Sequence, residues 1–236
     1  MAEWVVVIGG GSGVGEATAA AFLKRGAKVL IVGRDRAKLE AAAKRLGGEV
    51  AFEAVDAKDG ARLRTVFERR GDFEHLVLTL SSGRGAGPFR TLALDDLRSG
   101  LEGKLLAQLS AAQVALPFVK ESITFVGSAS ASAAMAGTVG LAAVNAAVEA
   151  VVRPLAVELA PVRVNAVSPG VIDTPWWDAR PPEMKAAAFE HTAKVLPVGR
   201  VGKPEDVAAA IVFAATNGFV TGTVIDVTGG ALLARS

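Results

Sequence analysis

The chain has 236 residues, and its 26 Lys and Arg residues nearly balance 24 Asp and Glu residues, so no dedicated nucleic-acid surface is expected. It contains no cysteine and only two histidines, which excludes disulfides and thiolate metal sites and leaves too few ligands for a structural zinc. We therefore predict no metal. The length fits one α/β domain, residues 1–236, and a first strand near residue 4 leaves no room for a signal peptide, so we expect a cytoplasmic protein.

The first predicted element is a buried strand at residues 4–8, which runs directly into a glycine-rich turn at residues 9–15. Ala-rich helical sequence follows from residue 14 to residue 25, Gly26 provides the helix stop, and a second strand is predicted at residues 28–32. In such a unit, glycines let the backbone approach a diphosphate, and the first helical N–H groups bind it. The predicted cofactor contacts in the turn are Gly9, Gly11, Ser12, Gly13, Val14 and Gly15.

The turn Ile8-Gly9-x-x-x-Gly13-x-Gly15 resembles the Thr-Gly-x-x-x-Gly-x-Gly signature of the short-chain dehydrogenases/reductases, with Ile8 in the place of Thr. Residues 163–170 are similar to that family's strand and Pro-Gly turn over the nicotinamide, residues 202–208 to its late helix start, and residues 220–230 to its last strand. The resemblance covers essentially the whole chain. It implies an α/β fold of the Rossmann type: a single domain with a doubly wound parallel sheet of about seven strands and helices on both faces. It also implies cofactor contacts at Pro169, Gly170, Val171, Ile172 and Thr174.

The residues after the second strand bear on the choice of cofactor. Gly33 stands where dinucleotide folds that prefer NAD tend to place an acid, and Arg34 follows it. A guanidinium pairs well with the 2′-phosphate of NADP(H), so NADP(H) is favoured over NAD(H). In the alternative, Arg34 is solvated and Asp35 caps a helix at residues 36–46 or binds the ribose.

A third strand is predicted near residues 49–55 and ends at Asp56 and Ala57. This pair resembles the family's contact to the adenine ring. Asp56 is equally suited to a turn that starts a helix at residues 58–70.

The fourth strand is predicted at residues 75–80 and ends at Ser81 and Ser82, where the family usually has Asn-Asn-Ala-Gly. The small residues of this loop still allow a close approach to the cofactor. We expect His75 and His191 to be ordinary surface residues, because neither is predicted to face the site.

A long helix is predicted at residues 92–119, with Lys104 at its middle. A strand at residues 122–126 and a helix from residue 140 to about residue 160, despite Pro154, complete this part of the chain. Both helices have Ala-rich outer faces, which in the family commonly pack against a second subunit. The resemblance therefore implies a homodimer or homotetramer.

Residues 128–148 carry no charge, but they are mostly Ala, Gly, Ser and Thr, so we predict no membrane span. The segment at residues 171–200 is punctuated by prolines and follows a strand end, where loops line the ligand crevice, so we predict a substrate lid there. Its large apolar side chains suggest a small apolar substrate, although aromatic residues on a lid equally often serve packing; they are Trp176, Trp177, Phe189 and Val195.

The resemblance fails at the active site. The family's usual site has an Asn on the long helix, a Ser after the fifth strand and a Tyr-x-x-x-Lys on the next helix, whose Tyr transfers the proton. This chain contains no tyrosine. Alignment with the family places Leu141 at the Tyr position, Asn145 at the Lys position and Lys104 at the Asn position. Ser128 keeps the family's spacing, with Ser130 as the alternative, so the predicted catalytic residues are Ser128, Lys104 and Asn145. For an isolated lysine, a solvated position on the helix would be the ordinary interpretation of Lys104.

Two hypotheses follow. In the first, the chain is an NADP(H)-dependent oxidoreductase acting on a small apolar carbonyl, alcohol or enone, with the proton supplied by Lys104, by Ser128 or by a water that they hold. In the second, it binds the cofactor without turnover, as a sensor or as the structural partner of an active subunit. The lid and Ser128 favour the enzyme, because a protein that only binds the cofactor has less need of them.

Overall fold

The computed structural model describes residues 3–233, in which seven strands form one sheet. The strands are β1 (Trp4–Ile8), β2 (Lys28–Gly33), β3 (Val50–Ala54), β4 (Phe73–Leu78), β5 (Val119–Val126), β6 (Arg163–Pro169) and β7 (Val224–Val227). Their order is β3-β2-β1-β4-β5-β6-β7 and every neighbouring pair is parallel, which confirms the predicted doubly wound architecture. The order reverses between β1 and β4, so the ligand crevice is expected outside the carboxyl ends of these strands.

Helices cover both faces of the sheet. They are α1 (Gly13–Lys24), α2 (Arg36–Leu46), α3 (Gly60–Arg70), α4 (Leu94–Gly100), α5 (Ala107–Ala115), α6 (Val139–Ala150), α7 (Val152–Glu158), α8 (Pro182–Val195) and α9 (Pro204–Thr216). Side chains alternate along β1: Val6 joins the core that contains Phe67 of α3, whereas Val7 joins the core that contains Phe22 of α1. Strands buried on both faces need apolar residues at every position, which explains the unbroken run in β1.

The prediction for His75 is wrong. His75 lies within β4, is buried, and its Nδ1 lies 2.9 Å from Ser122 Oγ on β5. Burial, with smaller contributions from Arg163 and Arg25, lowers the pKa of His75 to about 4, so the ring is neutral near pH 7. His191 is exposed, as predicted.

The long helix predicted at residues 92–119 is interrupted. α4 ends at Gly100, residues Leu101–Leu106 form a π-helical stretch, and α5 ends at Ala115. β5 then begins at Val119, earlier than expected, because Val119 pairs with Phe73 at the start of β4. A π-helical stretch changes the direction in which the following side chains point, and it is common at functional sites.

The helix predicted to run through Pro154 is also divided, into α6 and α7 with Val151 between them. Pro154 has no N–H to donate to the Ala150 carbonyl, and it is tolerated because it lies in the first turn of α7. The stretch Val139–Glu158 has the length and the hydropathy (1.4) of a possible membrane span, and 28% of its most apolar window is buried. Core and interface helices of globular proteins have the same composition, so this property is weak support for a span.

Other boundaries differ by a few residues. α3 begins at Gly60 because the Asp59 side chain accepts a hydrogen bond from the Arg62 N–H (3.0 Å) and so caps the helix. The last strand covers only Val224–Val227.

The predicted lid leaves and rejoins the fold at a narrow neck. Ile172 and Gly202 form a parallel bridge, the Gly202 N–H donates to the Val171 carbonyl (3.0 Å), and the Asp173 N–H donates to the Gly202 carbonyl (2.9 Å). Between these two ends the segment folds into a 3-10 turn (Pro175–Ala179) and α8. Val171 and Ile172, two of the predicted cofactor contacts, thus belong to the neck.

Candidate active site

The glycine turn after β1 is made of close backbone contacts that leave no space for side chains. Gly9 (φ +92°) and Gly13 (φ +54°) have left-handed backbones, which favour glycine. A Cβ on Gly15 would lie 2.2 Å from the Gly9 carbonyl oxygen, and one on Gly9 would lie 2.5 Å from Thr79 Oγ1. The Thr79 hydroxyl donates to the Ile8 carbonyl (2.9 Å), which links the loop after β4 to the start of the glycine turn. Such a backbone cradle fits a diphosphate.

The remaining turn residues are more open. A Cβ on Gly11 would make only ordinary contact with Leu39, at 3.4 Å. Ser12 is exposed at the N-cap of α1, and Val14 lies in its first turn. The first-turn N–H groups of a helix have no partner within the helix, so this end of α1 can bind an anion.

The end of β2 leaves a cation beside the cradle. Arg34 is exposed directly after Gly33, whereas the Asp35 side chain accepts a hydrogen bond from the Lys38 N–H (3.1 Å) and caps α2. A Cβ on Gly33 would lie 3.5 Å from the Leu39 side chain, an ordinary contact. Crowding by the protein therefore does not require glycine at this position, and Gly33 presents no acidic side chain beside Arg34.

Asp56 and Ala57 lie at the end of β3. Asp56 Oδ1 accepts a hydrogen bond from the Lys58 N–H (3.0 Å), which forms the turn anticipated for it, but the helix start belongs to Asp59. Ala57 is buried. Contact of either residue with an adenine ring stays a prediction.

The loop after β4 lies between the π-helical stretch and the predicted lid. A Cβ on Gly103 would lie 3.0 Å from Ser82 Cβ, and one on Gly83 would lie 3.2 Å from Trp176 Nε1. Ser81 is exposed beside them. The structure thus brings the β4 loop and the lid together over the crevice.

The turn after β6 reaches the glycine cradle through the start of the lid. A Cβ on Gly13 would lie 3.4 Å from the Thr174 side chain, so the beginning of the lid lies over the N-terminus of α1. Pro169 ends β6, and a Cβ on Gly170 would lie 3.0 Å from Thr228 Cα, which explains the small residue there. The predicted contacts from β1 and β6 therefore converge on one crevice.

The three predicted catalytic residues also come together. Lys104 is buried, and its Nζ donates to Asn145 Oδ1 (2.6 Å) and to the Gly127 carbonyl (2.9 Å). Asn145 Nδ2 donates to Ser130 Oγ (3.0 Å), and Ser130 Oγ lies 3.3 Å from Ser128 Oγ. One continuous chain of polar groups therefore runs from Lys104 to Ser128.

Lys104 is therefore not a solvated helix lysine. The exchange of Lys and Asn that the family resemblance implies stays a prediction. Asn145 Nδ2 also donates to the Leu141 carbonyl (2.8 Å), which holds the amide in place on α6. Burial lowers the pKa of Lys104 to about 8, although the negative charge of Glu149 opposes part of this decrease. A buried amine that titrates near neutral pH is suited to proton chemistry.

The predicted lid carries a compact aromatic cluster. Trp177 makes edge-on contacts with Trp176 (5.1 Å between centroids) and Phe189 (5.3 Å), and the Arg180 guanidinium lies 3.6 Å from the centre of the Trp176 ring. Trp177 Nε1 donates to the Ile172 carbonyl (3.0 Å), which ties the cluster to the neck. Trp176 is 37% exposed and so keeps apolar surface available.

Sequence reasoning missed three features of this site. It treated Ser130 only as a substitute for Ser128, although Ser130 connects Ser128 to Asn145. It did not identify Thr79 beneath the glycine turn, and it gave no role to Glu149. A signal for Thr79 existed, since a polar residue directly after a buried strand on the cofactor edge is unusual in an apolar run.

Comparison with known proteins gives consistent results. A family profile described as Enoyl-(Acyl carrier protein) reductase matches residues 9–231. Among curated proteins, a short-chain dehydrogenase/reductase of Stachybotrys chlorohalonatus is 31% identical over 97% of this chain and 96% of its own length. L-fucose dehydrogenase of Bos taurus is 34% identical over 97% of this chain and 89% of its own length. Among solved structures, a small-chain dehydrogenase in complex with NADPH is 32% identical with a TM-score of 0.83, over 99% of this chain and 100% of that one.

Proposed function

Because the chain belongs to the short-chain dehydrogenase/reductase family, we propose that it is an NADP(H)-dependent oxidoreductase whose proton passes through Ser128 instead of a tyrosine. The family's named members are dehydrogenases and reductases, so the chain is an oxidoreductase that acts on alcohol or carbonyl substrates. The observation that carries the proposal is the polar chain from Lys104 to Ser128.

When bound, NADPH supplies the hydride, so the protein's own task is to handle the proton at the substrate oxygen. The glycine cradle fits the cofactor's diphosphate, because Gly15 leaves no room for even one methyl group beside Gly9. Leu141 occupies the position of the missing phenol and cannot transfer a proton. The proton must therefore come from another group near the carboxyl end of β5.

The direction of hydrogen bonding in the polar chain is fixed at its buried end. An ammonium has donors only, so Lys104 donates to the Asn145 oxygen and the Asn145 amide nitrogen must face Ser130 as a donor. Because Ser130 Oγ accepts from Asn145, its own hydrogen is available to Ser128 Oγ. The Ser128 hydroxyl hydrogen is then left for a substrate oxygen.

In reduction, negative charge develops on the carbonyl oxygen while the Ser128 hydroxyl donates to it and then transfers its proton. The Lys104 charge favours this transfer because it polarises every donor in the chain toward Ser128. Asn145 orients the chain and carries no proton itself. Ser128 then recovers its proton from solvent, which reaches it because Ser128 and Ser130 are both partly exposed, so each reduction consumes one solvent proton.

The cofactor is proposed to be NADP(H) in preference to NAD(H). The support is the exposed cation at Arg34, the lack of an acidic side chain at Gly33, and the use of Asp35 as a helix cap, which leaves it poorly placed to bind a ribose. A related small-chain dehydrogenase is described in complex with NADPH.

The substrate is proposed to be a small apolar carbonyl, alcohol or enone covered by the 171–200 lid. The aromatic cluster at Trp176 and Trp177 offers flat apolar surface at the mouth of the crevice.

The active form is proposed to be a cytoplasmic homodimer or homotetramer paired through α4 to α7. These elements carry four apolar side chains that are about half exposed or more: Leu94, Leu106, Val139 and Val157. Pairing of subunits through these elements would remove such apolar side chains from water. Light scattering at micromolar concentration tests it, and a 24.1 kDa particle would contradict it.

The proposed chemistry is tested by Lys104→Met, assayed as NADPH consumption over a panel of carbonyls and enones. Turnover should fall by at least about 100-fold, since removal of one positioned group that stabilises developing negative charge costs about 10²–10³-fold. NADPH affinity should stay within about an order of magnitude, because Lys104 acts on the chemical step. Lys120→Met is the matched control, since Lys120 is an exposed lysine at the start of β5.

Two results would change the proposal. If Lys104→Met together with Ser128→Ala leaves turnover intact, the proton comes from elsewhere. If the wild type binds NADPH but no substrate turns over, the protein is better described as a cofactor-binding sensor or structural subunit.

A further inference from the structure

Glu149 lies on the opposite side of the Gly127–Ser128 peptide from Lys104. Its carboxylate accepts a hydrogen bond from Ser168 Oγ on β6 (2.7 Å). The same carboxylate lies against Gly127, where a Cβ would stand only 2.9 Å from Glu149 Oε1. Glycine at position 127 is thus what allows the carboxylate to approach the strand end.

Lys104 and Glu149 act on one peptide group. The Lys104 ammonium donates to the Gly127 carbonyl oxygen (2.9 Å), while the N–H of Ser128, from the same peptide unit, interacts with the Glu149 carboxylate. A peptide dipole has its negative end at the oxygen and its positive end at the N–H, so a cation at the first and an anion at the second both stabilise it. Ser128 is the residue that this peptide group positions.

We propose that Glu149 is a positioning residue whose negative charge keeps Lys104 protonated and, through the Gly127–Ser128 peptide, holds the Ser128 hydroxyl at the end of the polar chain. The catalytic consequence rests on the proposed function; the charge coupling between Glu149 and Lys104 does not. A carboxylate near a buried ammonium favours the charged form of both groups.

The charges around the pair give the sign of the effect. Burial raises the pKa of Glu149 and nearby Asp226 on β7 raises it further, whereas Ser168, Lys104 and the Ser128 N–H favour its ionised form. Burial lowers the pKa of Lys104 to about 8, and Glu149 is the charged group that opposes this decrease. Removing the Glu149 charge should therefore lower the pKa of Lys104 further, toward neutral pH.

The test is Glu149→Gln, which keeps the size and hydrogen-bonding capacity of the side chain and removes its charge. We expect the pKa of Lys104, measured by NMR titration of 13C-labelled lysine without substrate, to fall by about one unit. The alkaline limb of kcat/KM for reduction should move down in pH by the same amount. NADPH affinity at pH 6, about one unit below the lower of the two expected pKa values so that Lys104 is largely protonated in both proteins, should change by less than about twofold.

Two variants separate charge from structure. Glu102→Gln removes an equal charge from an exposed residue of the π-helical stretch that also contains Lys104. It should leave the Lys104 titration unchanged. Ser168→Ala removes the hydrogen bond to Glu149 but not its charge, and should shift Lys104 by less than Glu149→Gln does. If Glu149→Gln does not fold, Glu149→Asp withdraws the charge by one methylene and should lower the Lys104 pKa by a smaller amount.

The proposal is overturned if Lys104 has the same pKa in Glu149→Gln as in Glu102→Gln. If Glu149→Gln does not fold, a folded Glu149→Asp with an unchanged Lys104 pKa overturns it instead. Absence of turnover in the wild type would instead overturn the proposed function. The lysine titration would still decide the role of Glu149.

Discussion

The glycine cradle after β1 and the polar chain beside β5 lie at the same edge of one sheet, but the first is formed by backbone and the second by side chains. The cradle is backbone, and its glycines are required because Gly15, Gly9 and Thr79 lie too close together for side chains. The polar chain is formed by side chains, and it connects Lys104 of the π-helical stretch to Asn145 of α6. A backbone site depends on the chain's path and tolerates little change, whereas a side-chain site can exchange its partners and still keep an amine beside an amide.

The largest expected effect comes from breaking the cradle with Gly15→Ala. Its methyl group would stand 2.2 Å from the Gly9 carbonyl oxygen, so the turn must open. NADPH affinity should fall by more than about 100-fold, since positioned backbone N–H groups supply the diphosphate site. Gly26→Ala, at the far end of α1, is the control for glycine replacement: nothing lies within 4 Å of its Cβ, although its φ of +83° means that some stability is lost there too. Isothermal titration with NADPH measures the difference, and equal affinities in the two variants would contradict the prediction.

The polar chain should be convertible to the family's usual arrangement by three substitutions made together. In Lys104→Asn, Leu141→Tyr, Asn145→Lys the ammonium returns to the helix that carries the phenol and can lower its pKa. We expect ordinary carbonyl reductase activity, at least about tenfold above that of Leu141→Tyr alone, because Asn145 has no charge to act on a phenol. If Leu141→Tyr alone is equally active, the exchange of Lys and Asn is not what limits this site.

His75 belongs to neither the glycine cradle nor the polar chain, and its burial affects the stability of the fold. His75 lies within β4 with a pKa lowered from 6.5 to about 4, so the unfolded chain binds a proton that the folded chain cannot. Its contribution to stability is complete above pH 6.5 and is lost as the pH falls from 6.5 toward 4, by about 2–3 kcal/mol in total.

His75→Leu should therefore weaken the dependence of the unfolding free energy on pH in that interval. Urea unfolding at a series of pH values measures it, with His191→Leu as the exposed control. NADPH affinity at pH 7 should be unaffected. An unchanged pH dependence in His75→Leu would show that the ring is not buried in its neutral form.

The smallest expected effect concerns cofactor preference. Arg34→Asp should change the ratio of NADPH to NADH affinity by about tenfold or more in favour of NADH, because it replaces a cation by an acid beside the 2′-phosphate position. Arg36→Asp is a nearby control, since Arg36 lies over the Phe52 ring at 5.5 Å. Equal binding of NADH and NADPH by the wild type would remove the role assigned to Arg34.

The glycine cradle and the polar chain also differed in how far the sequence could predict them. The cradle was predictable because a buried strand, a glycine turn and a helix are local patterns, and the backbone follows from them directly. The exchange of Lys104 and Asn145 was predictable only through the family resemblance, since no local pattern places residues 41 positions apart beside each other.

The sequence by itself determined the position of the glycine cradle and the absence of a phenol, because the strand, turn and helix patterns and the lack of tyrosine are properties of the chain. The doubly wound fold was implied by the resemblance to the family. Only the tertiary structure decided that Lys104 is buried, that Ser130 connects Ser128 to Asn145, and that His75 is a core residue. The physical reason is that burial and hydrogen-bond partners depend on which elements meet. The π-helical stretch at Leu101–Leu106 and the close approach of Glu149 to Gly127 are two further features that only the structure revealed.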